Sequence, residues 1–500
     1  MKIIAPMKII ALTLALAAAT QANAHGVNGH VHVTGWAIER LPPGELKDFF
    51  ADPEVRDAAL IGASFPDSGY AINDGYGELA HWEPYVSVHL AWLRERFAPP
   101  FESLEARKQV AFLMGLAAHG LQDELFDSVF LYQVQEHDQE DQERSDPGTD
   151  AFLFTDGWLQ YKPPLYAPFD DLPAIFLRAH NHVVTPATIR AGMNRVKLLV
   201  IDGFAALAPG LDAQHRPFLP WTSQHYVDPA VPGSLAAEIP ATGAHLQALW
   251  DRLHGRFGLA GLPVHTWPDA PRRLRGRDPA SVDAWITVVF GAGVRVGSLT
   301  PETVRLLDPD GQPVPVVVRG TRWGGNPEDS SRIVRIQPTV ALAPNAVYTV
   351  RLAPGVETLE GQTLEEPWTF QVLTPCDDGD MSCPPEPQGG EPPRPPLPPD
   401  VGVDAGVVDA GVADAAVDAR PHPDLAAPDA NAPDAARPDA TAPDAARPEA
   451  TPDADRADAA PTAIGGGSDG CQTSGSGRSG VLWGVLALGF VRRRRIGKRL

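Results

Sequence analysis

Cysteine is close to absent, with three in 500 residues, and this excludes a fold stapled by a disulfide framework. Cys376 and Cys383 are near enough in sequence to pair, which leaves Cys471 over. Positive charge is scarce as well. Forty-one lysines and arginines against 63 acidic residues give a net charge of -22, the wrong sign for a protein that grips nucleic acid by its phosphates. Much of that acidity lies in a low-complexity stretch near the C-terminus and does not characterise the folded part. Strand-like alternation is nearly missing before residue 257. The apolar run Val481–Val491 has eleven residues, short of the roughly 20 that span a bilayer as a helix.

What is present divides the chain. Its 500 residues exceed one core, so two or three folded units with tails are expected. Lys2, Lys8, the apolar run Ile9–Ala19 and Ala22-Asn23-Ala24 read as a secretory signal over 1–24, cleaved to leave His25 first. Met7, where Met-Lys-Ile-Ile repeats, is an alternative initiator. Helical composition or spacing recurs at Glu39–Leu41, Pro53–Leu60, Val86–Phe97, Glu105–Gln133, Pro173–Ala179, Pro186–Leu207 and Gly243–Phe257. It predicts one all-α domain over 25–265. The segments between them, Phe65-Pro66-Asp67-Ser68-Gly69-Tyr70 included, carry Gly, Pro and Asp and read as connections.

Over 269–374 the character changes to short β-branched or aromatic runs: Ala284–Phe290, Val304–Leu307, Val314–Arg319, Arg332–Gln337, Ala346–Leu352 and Trp368–Leu373. Strands at that spacing predict a β-sandwich. Phe290-Gly-Ala-Gly-Val, Leu299-Thr-Pro-Glu-Thr-Val-Arg-Leu and Leu342-Ala-Pro-Asn-Ala-Val-Tyr-Thr-Val resemble bacterial Ig-like surface domains, modules that space or bind rather than catalyse. Residues 375–470 hold Pro, Ala and Asp in degenerate repeats, and too few apolar residues to offset ordering entropy, so an extended disordered linker is expected. Cys471, the run Val481–Val491 and Arg492-Arg-Arg-Arg resemble, over 471–500, the sorting tails of myxobacterial and related surface proteins. The resemblance implies hand-over by sorting machinery to the cell surface. A weak membrane anchor is the alternative. The expected architecture is multidomain: all-α, then an all-β Ig-like sandwich, then a disordered tail.

The helical region is organised around Leu113–Phe130, apolar on most sides and hence a central buried helix. His119, Asp123 and Asp127 fall at i, i+4 and i+8 and project from nearly one face. An imidazole and two carboxylates in an apolar helix carry a large desolvation penalty, which a bound cation or a buried His–Asp hydrogen bond compensates. Further candidate ligands are His25 and His30, Asp67, the His81-Trp82 pair, and Asp146-Pro-Gly-Thr-Asp150 after a polar stretch with His137 and Asp138.

The order of an N-terminal residue, His five on, Gly-Ala-x-x-Pro-Asp, His-Trp and His-x3-Asp resembles the zinc-dependent phospholipase C family. The nearest variant is the catalytic domain of glycosylphosphatidylinositol-specific phospholipase D, and the S1/P1-type nucleases share the fold. The resemblance runs from His25 to about Asp150. It implies one zinc site of Asp67, His81, His119 and Asp123, with Asp123 bridging to a second completed by His30 and the amino and carbonyl groups of His25. A third would take Asp127, Asp146 and Asp150. Where the bacterial phospholipases place histidines the third site here is all carboxylate, harder, and suited to Mg²⁺, Mn²⁺ or Ca²⁺ as well as Zn²⁺; His137 is an alternative ligand. The family chemistry is hydrolysis of a phosphodiester with metal ions neutralising its charge, and Asp67 is the residue expected to orient or deprotonate the attacking water.

Other residues have plainer readings. His32, His89, His180, His182, His245 and His254 lack motif context and read as structural or exposed. Trp36, Trp82 and Trp92 read as core. Gln133–Glu143 reads as a solvated loop, or a flap over the site. The resulting expectation is an exported or surface-displayed phosphodiesterase of phospholipase C type with two or three Zn²⁺ ions. It would act on phospholipid at a membrane surface, with no stable nucleic-acid complex. Alternatives are a nuclease on the same fold and a non-catalytic surface adhesion or binding protein with structural metals.

Overall fold

Helices run from Val27 to Leu253, and eight strands follow between Pro263 and Leu373. The structure, a computed structural model, describes residues 26–158, 161–256, 263–267, 286–320, 329–364 and 366–374. The expected signal, His25, the linker, all three cysteines and the sorting tail lie outside the described residues.

Eight helices matter for the site: α1 Val27–Arg40, α2 Pro53–Gly62, α3 Phe65–Tyr70, α4 Tyr76–Ala80, α5 Glu83–Arg96, α6 Leu104–Leu125, α7 Gln142–Thr155 and α8 Leu235–Leu253. The central one is α6. Ser103 opens it by accepting from the Ala106 amide, and its apolar residues are buried on nearly every side, from Val110 to Leu121. Glycines let α2 lie directly on it. A Cβ at Gly115 would stand 1.9 Å from the Ala59 carbonyl oxygen, and one at Gly62 would stand 2.4 Å from that of Phe112. Beyond Leu125 the helix widens into a π turn, Phe126–Phe130, a feature common at functional sites.

Two expected connections are wholly or partly helical because tertiary packing overrides local preference. The expected connection Phe65–Tyr70 is helical, with Pro66 in its first turn where the missing N–H does no harm. The expected loop Gln133–Glu143 is helix at both ends, since one helix runs Leu131–His137 and α7 begins at Gln142. Trp36 and Trp82 are buried, and Trp92 packs against the same core.

The strands form two antiparallel sheets, ordered β1-β2-β6-β5 and β4-β3-β7-β8: β1 Pro263–Trp267, β2 Ile286–Arg295, β3 Val304–Leu307, β4 Pro313–Val314, β5 Val316–Gly320, β6 Ser330–Pro338, β7 Val347–Leu352 and β8 Trp368–Leu373. β1 falls across the expected boundary at 265–269. The sandwich core joins Ile286, Val288, Phe290, Val334 and Ile336 to Leu306, Val350, Leu352 and Val372. The outer face of β2 and β6 is also buried, because Val289 and Ile333 pack with Val264 against Leu121 and Leu125 of α6 and Ala241 of α8. Helices and sandwich belong to one compact unit.

Gly115→Val places carbon where Ala59 carbonyl oxygen stands, so α2 and α6 must separate. The expected cost is about 1–3 kcal/mol or more, read as a lower urea midpoint than for Gly210→Val, where nothing lies within 4 Å of the added carbon.

Candidate metal centre

Four segments bring the ligands together: His30 on α1, Asp67 on α3, His81 at the end of α4, and His119 with Asp123 one turn apart on α6. All five are buried. α1 is held from outside, since its first amides, those of Asn28 and Gly29, donate to the Asp150 carboxylate at 3.1 and 2.8 Å. A side chain at Gly26 would collide with that carboxylate, its Cβ 2.1 Å from the Asp150 Cγ.

Each ring has its outer nitrogen engaged. His81 Nδ1 donates to the Gly77 carbonyl and His119 Nδ1 to the Ala63 carbonyl, both at 2.7 Å. Carbonyls only accept, so those nitrogens carry the proton, and in the neutral ring Nε2 is a bare lone pair. His30 Nδ1 lies 2.9 Å from Gln122 Oε1. The Gln122 amide nitrogen faces Thr34 Oγ1 at 3.1 Å and Thr242 Oγ1 at 3.5 Å, which turns its oxygen toward His30. Such outer partners orient metal-binding imidazoles.

The inner atoms crowd together. His81 and His119 approach to 2.9 Å between Nε2 atoms, and the His30 and His119 rings stack with centroids 3.6 Å apart. Asp123 sets Oδ1 3.0 Å from His30 Nε2 and Oδ2 3.1 and 3.2 Å from those of His81 and His119. Asp67 Oδ1 lies 4.0 Å from His119 Nε2, and neither Asp67 oxygen has a hydrogen-bond partner among the described residues. Ligand atoms of His30, His119 and Asp123, and of Asp67, His81 and His119, fall within 4.8 Å of one another. Bare nitrogens and carboxylate oxygens facing inward repel one another unless protons or a cation stand between them. The mixed N/O donor set fits a divalent ion of the zinc type.

The side chains alone show the same strain. Burial pushes Asp67 up to about 7 and His119 down to about 3. Burial also opposes the His81 imidazolium, but the hydrogen bond and charge of Asp123 outweigh it and leave His81 raised to about 9. Asp123 is held well below the ordinary range: burial works against this, and His119 and His30 overcome it.

Asp127, Asp146 and Asp150 are buried nearby but stand outside those two ligand groups. Asp127, on the π turn, accepts from Gln142 Nε2 at 3.0 and 3.1 Å. Asp146 leaves Oδ2 without a hydrogen bond, and burial and the charge of Asp127 raise it. Asp150 caps α1. His137 stacks on Trp221 with centroids 4.4 Å apart and is in neither group. Sequence reasoning missed Gln122, the capping role of Asp150, and Glu238 of α8, which is buried within electrostatic reach of Asp123 and Asp127. Gln122 and Glu238 had no motif to mark them, and Asp150 was expected as a metal ligand rather than a cap.

Residues 275–372 match the family described as a bacterial Ig-like domain, so the β region is Ig-like. No curated protein matches the chain. Two solved structures align weakly: "Crystal structure of the S-layer protein rSbsC(31-844)", at 12% identity over 65% of this chain, and "Structure of surface layer protein SbsC, domains 1-6", at 12% identity over 70%. Both have a TM-score of 0.17, and this chain covers 45% of each, under half their length.

Protons compete with a cation for Asp67 and His81. At about pH 6 both carry a proton, and at about pH 8 only His81 does, so zinc uptake displaces more protons at the lower pH and its affinity rises across that window. Calorimetry in buffers of different ionisation enthalpy counts them; equal release at both pH values contradicts the assignment.

Proposed function

We propose that the chain is an exported, surface-displayed, metal-dependent phosphodiesterase of the phospholipase C type. One observation carries this: three imidazoles with their Nδ1 atoms engaged outward aim Nε2 at the carboxylates of Asp67 and Asp123 in a buried cluster. His30, Asp67, His81, His119 and Asp123 would hold the ions, while buried Asp127, Asp146 and Glu238 could support a harder cation beside them. Divalent ions bound there supply charge neutralisation at a phosphate and an acidified water.

The chain's own residues supply the rest. Asp67, neither of whose carboxylate oxygens has a hydrogen-bond partner among the described residues, would orient or deprotonate the attacking water. It also lines a water-sized cavity of about 20 Å³ with Tyr70, Arg195, Val27, Leu199 and Val200. Arg195 brings a guanidinium, whose planar fork suits phosphate. Leu198, in the same segment, is 66% exposed, as a lipid-facing residue would be. These features favour phospholipid. Tyr70, stacked on His81 with centroids 5.4 Å apart, favours a nuclease instead, because one aromatic face can stack a base.

Purified full-length protein matured by export is to be assayed with and without zinc on phosphatidylcholine, phosphatidylinositol and single-stranded DNA. Zinc-dependent release of phosphorylated headgroup is expected, lowered at least about 100-fold by Asp123→Asn, since loss of an outer partner alone costs 10–100-fold. Cleavage of DNA alone would transfer the site to a nuclease. Bound zinc with neither activity would leave a surface binding protein with structural metals.

A further inference from the structure

The β-sandwich reaches into the candidate centre through one residue. Arg332 is fully buried and sits where the β2–β6 ladder is interrupted: pairing stops at Val289 with Ile333 and resumes at Val294 with Ser331. At that gap its main-chain N–H donates to Glu124 Oε2 at 2.7 Å instead of to β2. Its guanidinium donates from Nη2 to the His81 carbonyl at 3.0 Å, from Nη1 to Glu124 Oε1 at 3.0 Å and from Nε to Glu83 Oε2 at 3.4 Å. Glu124 follows Asp123 on α6, and Glu83 opens α5 two residues after His81. One fork therefore ties together both segments that present His81, His119 and Asp123.

The approach is built in by glycine. A Cβ at Gly120, next to His119, would stand 2.2 Å from the His81 carbonyl oxygen and 2.8 Å from Arg332 Nη1. A Cβ at Gly293 of β2 would stand 2.4 Å from Glu83 Cγ. Bare backbone on both sides lets the guanidinium reach the His81 carbonyl.

We propose that the Ig-like sandwich is an integral wall of the metal centre and that Arg332 is a positioning residue, fixing the His81 backbone against α6 so that the imidazoles of His81 and His119 converge. This rests on the reading that the centre binds a metal ion, though not on which phosphodiester is cut. A planar fork holding a carbonyl and two carboxylates at once cannot be reproduced by lysine, whose ammonium is a point charge.

The test uses full-length protein with zinc affinity as the readout, measured by competition with a chromophoric chelator, alongside thermal unfolding with and without zinc. Arg332→Met and Arg332→Lys are each expected to weaken zinc binding about 10–100-fold, and hydrolysis to fall with it. Glu360→Gln is the control. It loses an exposed interface carboxylate that meets Arg252 and Ser87 but not Arg332, and its zinc affinity should equal that of the parent. Should Arg332→Met fail to fold, Arg332→Lys, which keeps the charge, carries the test. Arg332 variants that melt earlier with and without zinc yet bind zinc as tightly as the parent would overturn the proposal, leaving Arg332 merely structural. A parent protein that takes up no zinc would overturn the metal reading itself and this proposal with it.

Discussion

Imidazole lone pairs and carboxylate oxygens aimed at one another in a buried space need positive charge between them, and the helical region is arranged around that need. Burying such groups uncompensated costs several kcal/mol each, so the surroundings must either prevent the convergence or enforce it. Here they enforce it. The Gly77 and Ala63 carbonyls settle the tautomers of His81 and His119, Gln122 engages His30, and Asp150 holds the first turn of α1.

The sequence showed the centre where ligands share one helix and hid it where they do not. His119 and Asp123 were visible as an i, i+4 pair inside an apolar stretch, and α6 presents them as that spacing requires. Asp127 belonged to the same periodic pattern, but the chain widens into a π turn at Phe126, so regular spacing does not describe its position and Gln142 meets it. α1 was almost illegible. Val27, Val31, Val33 and two glycines, Gly29 and Gly35, are poor helix formers, and the helix is kept by burial along nearly its whole length and by a cap from a residue far along the chain. α3 and α7 were hidden by Pro66 and Pro147, which local rules read as breaks. Strand positions fared better, since β-branched runs between Gly- and Pro-bearing turns are a local signal, and all six expected runs overlap observed strands. β1 escaped because it is short and stands apart from the others.

The acidic residues beside the main cluster follow the same electrostatic logic with a different donor type. Asp127, Asp146 and Glu238 are all raised by burial and then by neighbouring carboxylates. Without imidazole among them this side of the centre is hard, and hard oxygen donors favour Mg²⁺, Mn²⁺ or Ca²⁺ more than nitrogen-rich sites do. Asp123 is thus in electrostatic reach of the imidazoles on one side and of these buried carboxylates on the other.

The least expected feature lies between the two folded regions. β6 reads Arg332-Ile-Val-Arg-Ile, apolar at alternate and at adjacent positions, and a strand of a sandwich with one solvated face should not carry Ile333 beside Val334. That pattern means both faces are covered. α6 and α8 provide the second cover, with Leu121, Leu125 and Ala241 against Val289 and Ile333. Around this apolar contact, Glu83 and Glu124 are matched by Arg332 and Arg252, so buried charges balance only when helices and sandwich are together. Parting them would strip Glu124 of Arg332 and leave Glu83 with Arg252 alone, and a buried ion deprived of its partner costs more than the pair contributed. The sandwich and the helical region should consequently lose structure as one unit, an arrangement that a domain serving only as a spacer would not need.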